Sequence, residues 1–122
     1  MEYILHKMEY IFYEIRCLDS SITETYIGST MNFTRRKCQH KGACNRINDK
    51  KHHLKLYKII RANNGWTNWE MVPIDKQVFE TKLDARLHEQ KLIKEHKATL
   101  NSATASVPRE MYELGLQMRN RT

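Results

Sequence analysis

Hydrophobic side chains alternate with a period of two over residues 10–17, which is the spacing of a β-strand whose neighbouring side chains point to opposite faces. Asp and Ser residues over 18–22 favour a turn. The segment 23–28 then predicts a second strand that ends at Gly28, with a turn over residues 28–30. The pattern therefore predicts an antiparallel hairpin at the start of the domain.

The next segments have the spacing of two helices. Asn32 or Thr34 supplies a side-chain oxygen that can cap the first helix, which we expect to end between residues 42 and 48. Hydrophobic residues at helical spacing predict a second helix over residues 52–62. The residues at 63–65, Asn-Asn-Gly, favour its end because they tolerate a left-handed backbone.

Aromatic and branched residues over 66–79 predict a third strand. Pro73 has no backbone N–H to donate, so we expect this strand to lie at the sheet edge or to bulge there. Thr81 resembles the cap of a third helix, which we expect to end near residue 97. The apolar stripe predicted for this helix consists of Leu83, Ala85, Leu87, Gln90, Leu92 and Ile93.

The predicted order of elements is β-β-α-α-β-α, which is the order of a small α+β domain. Pro108 opens a further candidate helix that would extend to residue 118. Nothing in the sequence resembles a linker or a low-complexity segment, so residues 1–122 are predicted to form a single domain.

The net charge of +7 is concentrated in one segment. Residues 35–61 contain ten lysines and arginines against a single acidic residue, Asp49. Such a concentration is typical of a surface that binds a polyanion and releases its counterions, although a solvated helix face or an acidic protein partner would also explain it. The candidate nucleic-acid-binding residues are Arg35, Lys37, Lys41, Arg46, Lys50, Lys51, His53, Lys55 and Lys58.

The sequence favours an intracellular location and no membrane insertion. No apolar run approaches the roughly 18 to 20 residues of a membrane-spanning helix. The first 15 residues do not have the cationic leader and apolar block of a secretion signal. The three cysteines are an odd number without a framework pattern, which fits reduced thiols.

Five residues have side chains suited to phosphodiester cleavage. Tyr13 and Tyr26 lie on neighbouring predicted strands, where they can share a face. Arg36 and His40 are four residues apart on one helix face, and Glu89 offers a hard oxygen to Mg²⁺. Each residue also has an ordinary structural explanation, as core packing or as a solvated helix side chain. Taken without further context, these residues indicate a basic α+β domain that binds nucleic acid.

Six motifs follow one another along the chain, namely IFY at 11–13, YIGST at 26–30, Arg36, His40, HEQKLIKEH in the third helix, and Leu100-Asn101. In their order and with compatible gaps, they resemble the motifs of the GIY-YIG nuclease family. The resemblance covers about residues 10–103 and leaves 104–122 as a C-terminal extension. It implies a three-stranded antiparallel sheet flanked by helices and an endonuclease that hydrolyses DNA, either double-stranded or branched.

The resemblance also implies a role for each site residue. Tyr13 is the favoured general base, and Tyr26 helps to position the attacking water. Arg36 stabilises charge on the phosphate, and His40 transfers a proton or contacts the phosphate. Glu89 binds a single Mg²⁺ or Mn²⁺ ion, and Asn101 contacts the site. The implied catalytic residues are Tyr13, Tyr26, Arg36, His40, Glu89 and Asn101.

One position departs from the family pattern, because Ile11 stands where the first motif has glycine. Glycine there would ease a close backbone approach, so the change leaves open an inactive module that binds nucleic acid through residues 35–61. A third hypothesis is an interaction domain that acts through residues 108–119. Target specificity is expected to come from this domain, from a homodimer or from a partner protein.

Overall fold

A three-stranded antiparallel sheet forms the centre of the fold in the computed structural model, which describes residues 7–101. The strands, in the spatial order β2-β1-β3, are β1 (Met8–Cys17), β2 (Thr25–Thr30) and β3 (Trp69–Phe79). The helices are α1 (Phe33–Asn45), α2 (Lys55–Ala62) and α3 (Lys82–Glu95). The predicted α+β class and the order β-β-α-α-β-α are confirmed.

Two predictions fall outside the described residues. The candidate helix over 108–118 and the interaction seam over 108–119 both lie beyond residue 101. The organisation of residues 1–122 as one domain with a C-terminal extension likewise stays a prediction.

The central strand β1 contributes its two faces to two separate hydrophobic cores. Tyr13 and Ile15 pack in a core that includes buried residues of α1 and α2. Tyr10 and Phe12 pack on the opposite face in a core that includes Ala85 of α3. Helices therefore cover both faces of the sheet, and the alternation seen in the sequence separates two cores instead of separating a core from solvent.

The strand β2 continues past Gly28 to Thr30, so the turn predicted over residues 28–30 is wrong. Gly28 pairs with Tyr13 and Thr30 pairs with Ile11 across the two strands, which keeps the segment extended. Among the described glycines only Gly65 has a positive φ, of 82°. The backbone at Gly28 therefore needs no conformation special to glycine.

Pro73 lies in the edge strand β3 and next to a bulge, as its missing N–H predicted. Phe12 pairs with Asp75 and Tyr13 pairs with Pro73, so Ile74 is the additional residue. The strand begins at Trp69 and not at residue 66 as predicted. Trp66–Asn68 instead form a short 3₁₀ turn.

Side-chain caps fix the starts of the two helices that carry site residues. Asn32 Oδ1 accepts a hydrogen bond from the Arg35 N–H at 3.0 Å, and Thr81 Oγ1 accepts one from the Asp84 N–H at 3.1 Å. The predicted caps Asn32 and Thr81 are therefore confirmed. The helix α2 begins at Lys55, three residues later than predicted.

The face that α3 buries differs from the predicted leucine stripe. Leu83 and Leu87 are 40% and 56% exposed, whereas Ala85, Glu89 and Leu92 are buried. A carboxylate therefore occupies the middle of the buried face of this helix. None of the helices in the described part of the chain is long and apolar enough to cross a membrane.

Candidate active site

His40 lies between two tyrosine hydroxyls in the core on the α1 and α2 side of the sheet. Its Nε2 is 2.7 Å from the hydroxyl of Tyr13 on β1, and its Nδ1 is 2.7 Å from the hydroxyl of Tyr57 on α2. His40 is only 5% exposed, and the two tyrosines are also buried. The predicted i, i+4 face of α1 thus turns His40 inward instead of towards solvent.

Burial determines the protonation of this cluster. It lowers the pKa of the His40 imidazole to about 3, and the nearby cations of Arg36 and Lys51 contribute to that decrease. Burial likewise raises the pKa of Tyr13 well above its usual value and that of Tyr26 to about 12. The imidazole is therefore neutral near pH 7, and the phenols keep their protons.

Gly28 provides the space that the Tyr13 side chain occupies. A Cβ atom added at Gly28 would lie 2.3 Å from the Tyr13 hydroxyl oxygen and 2.4 Å from the ring carbon that carries it. Non-bonded carbon atoms pack at about 3.5 to 4.0 Å, so no side chain fits at this position. The glycine of the second motif is thus required by close packing and not by a turn.

A cleft of about 340 Å³ opens at the edge strand β2, beside the tyrosine cluster. The residues that line it come from β1, β2, α1, α3 and the segment between α1 and α2. Tyr13, Tyr26, Arg36 and Glu89 all line this cleft. Four of the six predicted catalytic residues therefore share one cavity, and His40 supports it from within the core.

Glu89 is the buried carboxylate of the cleft. It is 1% exposed, and its Oε1 accepts a hydrogen bond from the Ser29 hydroxyl on β2. Its Oε2 is buried and has no hydrogen-bond partner within residues 7–101. Leaving a buried carboxylate oxygen without a hydrogen-bond partner costs folding free energy, and a bound cation would offset that cost. The predicted single-glutamate metal site fits such an oxygen, since Mg²⁺ prefers hard oxygen ligands.

Arg36 presents a second unpaired group to the same cleft. Its Nε is buried and has no acceptor within the described residues. The same part of the chain contains no cluster of three or more His, Cys, Asp or Glu residues suited to a metal ion. The cleft therefore combines one unpaired carboxylate oxygen with one unpaired guanidinium nitrogen.

Asn101 lies on the outer side of β2 and not among the residues that line the cleft. Its Oδ1 accepts the Ile27 N–H at 2.8 Å, and its Nδ2 donates to the Ile27 carbonyl at 2.7 Å. Ile27 follows Tyr26 and precedes Gly28. The asparagine therefore holds the strand that carries two motif residues.

A larger groove of about 1120 Å³ lies next to the cleft, and Tyr26, Ser29 and Arg36 line both. All nine predicted nucleic-acid-binding residues are exposed, and none forms an ion pair with another residue in the described range. Four of them line the groove, namely Arg35, Arg46, Lys50 and Lys51. The other five, Lys37, Lys41, His53, Lys55 and Lys58, do not.

Four residues near the cleft were missed by the sequence reasoning. Lys82 and Arg86 of α3 line the groove together with residues of the basic segment, and Arg86 also lines the cleft. Ser29 and Tyr57 contact Glu89 and His40. Ser29 belongs to the second motif, YIGST, whereas the other three are not part of any motif and are identified only by their positions in the structure.

Ile11, the departure from the motif, lies within a regular part of the sheet. It pairs with Thr30 on one side and Lys76 on the other. It lines neither the cleft nor the groove, and its φ is not positive. The backbone here accommodates a branched side chain without strain.

A comparison with known protein families gives one match. The family model described as the GIY-YIG catalytic domain matches residues 9–101, which is most of the chain and includes every predicted catalytic residue. No curated protein and no solved structure matches the chain.

Proposed function

Because the chain belongs to the GIY-YIG family, a family of endonucleases that act on DNA and generally depend on a divalent metal, we propose that it hydrolyses DNA phosphodiester bonds with one Mg²⁺ or Mn²⁺ ion. The proposed catalytic residues that line the cleft are Tyr13, Tyr26, Arg36 and Glu89, with His40 behind them.

One observation supports this proposal above the others. The cleft contains a buried carboxylate oxygen of Glu89 and a buried Nε of Arg36, and neither has a partner within residues 7–101. A divalent cation and a phosphate would satisfy the two atoms together. A cleft built only for stability would pair them, because unpaired buried charge is destabilising.

The proposed metal ligand is Glu89 Oε2. The Ser29 hydroxyl holds the other carboxylate oxygen and so fixes the orientation of the group. Glu89 would hold a divalent ion there, which would supply positive charge to the phosphate. Arg36 supplies a further positive charge to the same phosphate.

Tyr13 is the proposed general base. Since its phenol is protonated near neutral pH, it can take a proton from water only as its own proton leaves. The neutral His40 Nε2, at 2.7 Å, is the acceptor within reach. Tyr26 lines the cleft with its ring centroid 6.4 Å from that of Tyr13, where it can position the attacking water.

Asn101 is proposed as a positioning residue for this site. Its amide makes two hydrogen bonds to the backbone of Ile27, between Tyr26 and Gly28. It therefore acts on the placement of β2 and not on the phosphate.

The groove is the proposed DNA-binding surface. Seven cationic residues line it, from α1, the segment that follows α1, and α3. Within residues 7–101, Asp49 is the single acidic residue among the lining side chains. The DNA would thus be bound by the basic segment on one side of the cleft and by α3 on the other. The contribution of α3, through Lys82 and Arg86, was not predicted from the sequence.

Replacing Lys82 or Arg86 with alanine should weaken DNA binding and lower its dependence on salt. Each phosphate contact that is lost should reduce the slope of log K against log[salt] by about 1, because fewer counterions are released. The slope can be measured by fluorescence anisotropy with labelled DNA in EDTA, so that no cleavage occurs.

Lys94→Ala is the matched control for this experiment. Lys94 lies on the same helix and is exposed, but it does not line the groove. Its variant should keep the wild-type slope. Equal slopes for all three variants and the wild type would exclude α3 as a wall of the binding surface.

Nicking of supercoiled plasmid tests the proposed function directly. The wild-type protein should convert supercoiled into open-circular DNA with Mg²⁺ or Mn²⁺, and addition of EDTA should stop the reaction. Intact plasmid and intact branched DNA at every metal concentration, despite binding at low salt, would instead identify a DNA-binding module without cleavage.

A further inference from the structure

Tyr57 contacts the candidate active site but belongs to none of its motifs. It lies on α2, and its hydroxyl is 2.7 Å from Nδ1 of His40. Tyr57 is 4% exposed and packs in the same core as Tyr13. The imidazole thus has one tyrosine on each nitrogen.

The two tyrosines cannot be equivalent, because a neutral imidazole carries one proton. One ring nitrogen donates a hydrogen bond and the other accepts one. If Nδ1 carries the proton, the Tyr57 oxygen accepts a hydrogen bond from Nδ1–H. Nε2 then has a free lone pair and can accept a hydrogen bond from the Tyr13 hydroxyl. If Nε2 carries the proton, it donates to Tyr13, and His40 has no capacity to take the Tyr13 proton.

The surroundings of His40 hold the ring in place but do not choose between these tautomers. Trp66 stacks on the imidazole at a centroid distance of 6.4 Å, and Tyr26 contacts it edge-on at 5.7 Å. Within residues 7–101 the two ring nitrogens have hydrogen-bond partners only in Tyr13 and Tyr57. An Nδ1–H group without the Tyr57 oxygen would therefore be buried and unpaired.

We propose that Tyr57 is a positioning residue, whose oxygen accepts the Nδ1–H of His40 and keeps Nε2 free to take the proton of Tyr13. The inference rests on the proposed function of Tyr13 as general base. It assigns Tyr57 the role of the third group that orients a base in other hydrolytic sites.

A proton moves from the attacking water to the Tyr13 oxygen while the Tyr13 proton moves to His40 Nε2. The resulting hydroxide bonds to phosphorus, and the bond to the leaving oxygen breaks. The leaving oxygen takes a proton from solvent, and the imidazolium later returns its proton to solvent. The cost of a charged imidazole beside Arg36 is reduced when a phosphate neutralises the guanidinium.

Tyr57→Phe tests the proposal by removing only the hydroxyl. The rate of plasmid nicking at saturating protein should fall about 10- to 100-fold, as expected when the orienting partner of a base is lost. The affinity for DNA in EDTA should stay unchanged. Ser21→Ala is the control, since it removes a hydroxyl that is exposed, bonds within residues 7–101 only to Asp19 and lines neither the cleft nor the groove, and it should nick at the wild-type rate.

The tautomer of His40 is a second readout that a merely structural role would not change. Long-range ¹⁵N–¹H NMR spectra distinguish Nδ1–H from Nε2–H imidazoles, and His40→Gln identifies the signal among six histidines. The wild type should show the Nδ1–H form, and Tyr57→Phe should shift His40 towards Nε2–H. An Nε2–H tautomer in the wild type, or an unchanged tautomer in Tyr57→Phe, would overturn the inference.

The two experiments separate this inference from the proposed function. If the wild type nicks DNA and Tyr57→Phe nicks equally fast, the nuclease proposal stands and the role of Tyr57 is refuted. If the wild type does not nick, the nuclease proposal fails, and with it the catalytic role of Tyr57.

Discussion

Glu89→Gln should abolish plasmid nicking, with a rate at least about 1000-fold below that of the wild type, which is about 4 kcal/mol of transition-state stabilisation. The substitution keeps the shape of the side chain but removes the negative charge that would hold the metal ion. Since Glu89 is 1% exposed and the volume hardly changes, the fold should be retained. Single-turnover nicking with Mg²⁺ and with Mn²⁺ measures the loss, and anisotropy in EDTA checks that DNA still binds.

Glu95→Gln provides the matched control for that experiment. Glu95 lies on the same helix, where it pairs with Lys91 at 3.9 Å on the exposed side, and its variant should nick at the wild-type rate. Thermal unfolding should show Glu89→Gln at least as stable as the wild type, because a buried charge with an unpaired oxygen is removed. Wild-type nicking by Glu89→Gln would refute the metal site.

Gly28→Ala should remove about 99% or more of the nicking activity and destabilise the fold by about 1 to 3 kcal/mol. The new methyl group would lie 2.3 Å from the Tyr13 hydroxyl oxygen. The Tyr13 ring cannot move aside easily, because the rings of Tyr26 and Phe33 contact it. The phenol must therefore leave its hydrogen bond with His40. Nicking rates and denaturant unfolding measure the two effects.

Val78→Ile is the control for an added methyl group elsewhere. Val78 lies on β3, is 51% exposed and lines neither the cleft nor the groove. The variant should stay within about 0.5 kcal/mol of the wild type in the free energy of unfolding and should keep its nicking rate. If Gly28→Ala nicked as fast as the wild type, the Tyr13 hydroxyl would have no part in catalysis at its observed position.

The sequence predicted what depends on neighbouring residues. The caps Asn32 and Thr81 and the irregularity at Pro73 are local chemistry, and each was found where the pattern indicated. Boundaries were less accurate. The third strand begins at Trp69 because the preceding residues form a 3₁₀ turn after Gly65, which propensity alone did not reveal.

Contacts between distant segments could not be predicted from the pattern. A carboxylate on a helix is usually solvated, yet Glu89 is buried where α3 packs against β2, and its partner Ser29 is 60 residues away in sequence. The apolar stripe predicted for α3 was wrong at Leu83 and Leu87, which are exposed, and correct at Ala85 and Leu92, because the helix buries the face that carries Glu89. The function of Gly28 likewise depended on the position of the Tyr13 ring.

The hydrogen bonds between residues 100–101 and β2 also affect how the chain can associate with itself. Leu100 N–H donates to the Thr25 carbonyl at 2.9 Å, and the Asn101 amide pairs with the backbone of Ile27. The outer edge of β2 is therefore already occupied, as though by a short fourth strand. The other edge strand, β3, contains Pro73 and a bulge. Both edges of the sheet thus resist strand addition by a second copy, which protects the folded domain against edge-to-edge aggregation.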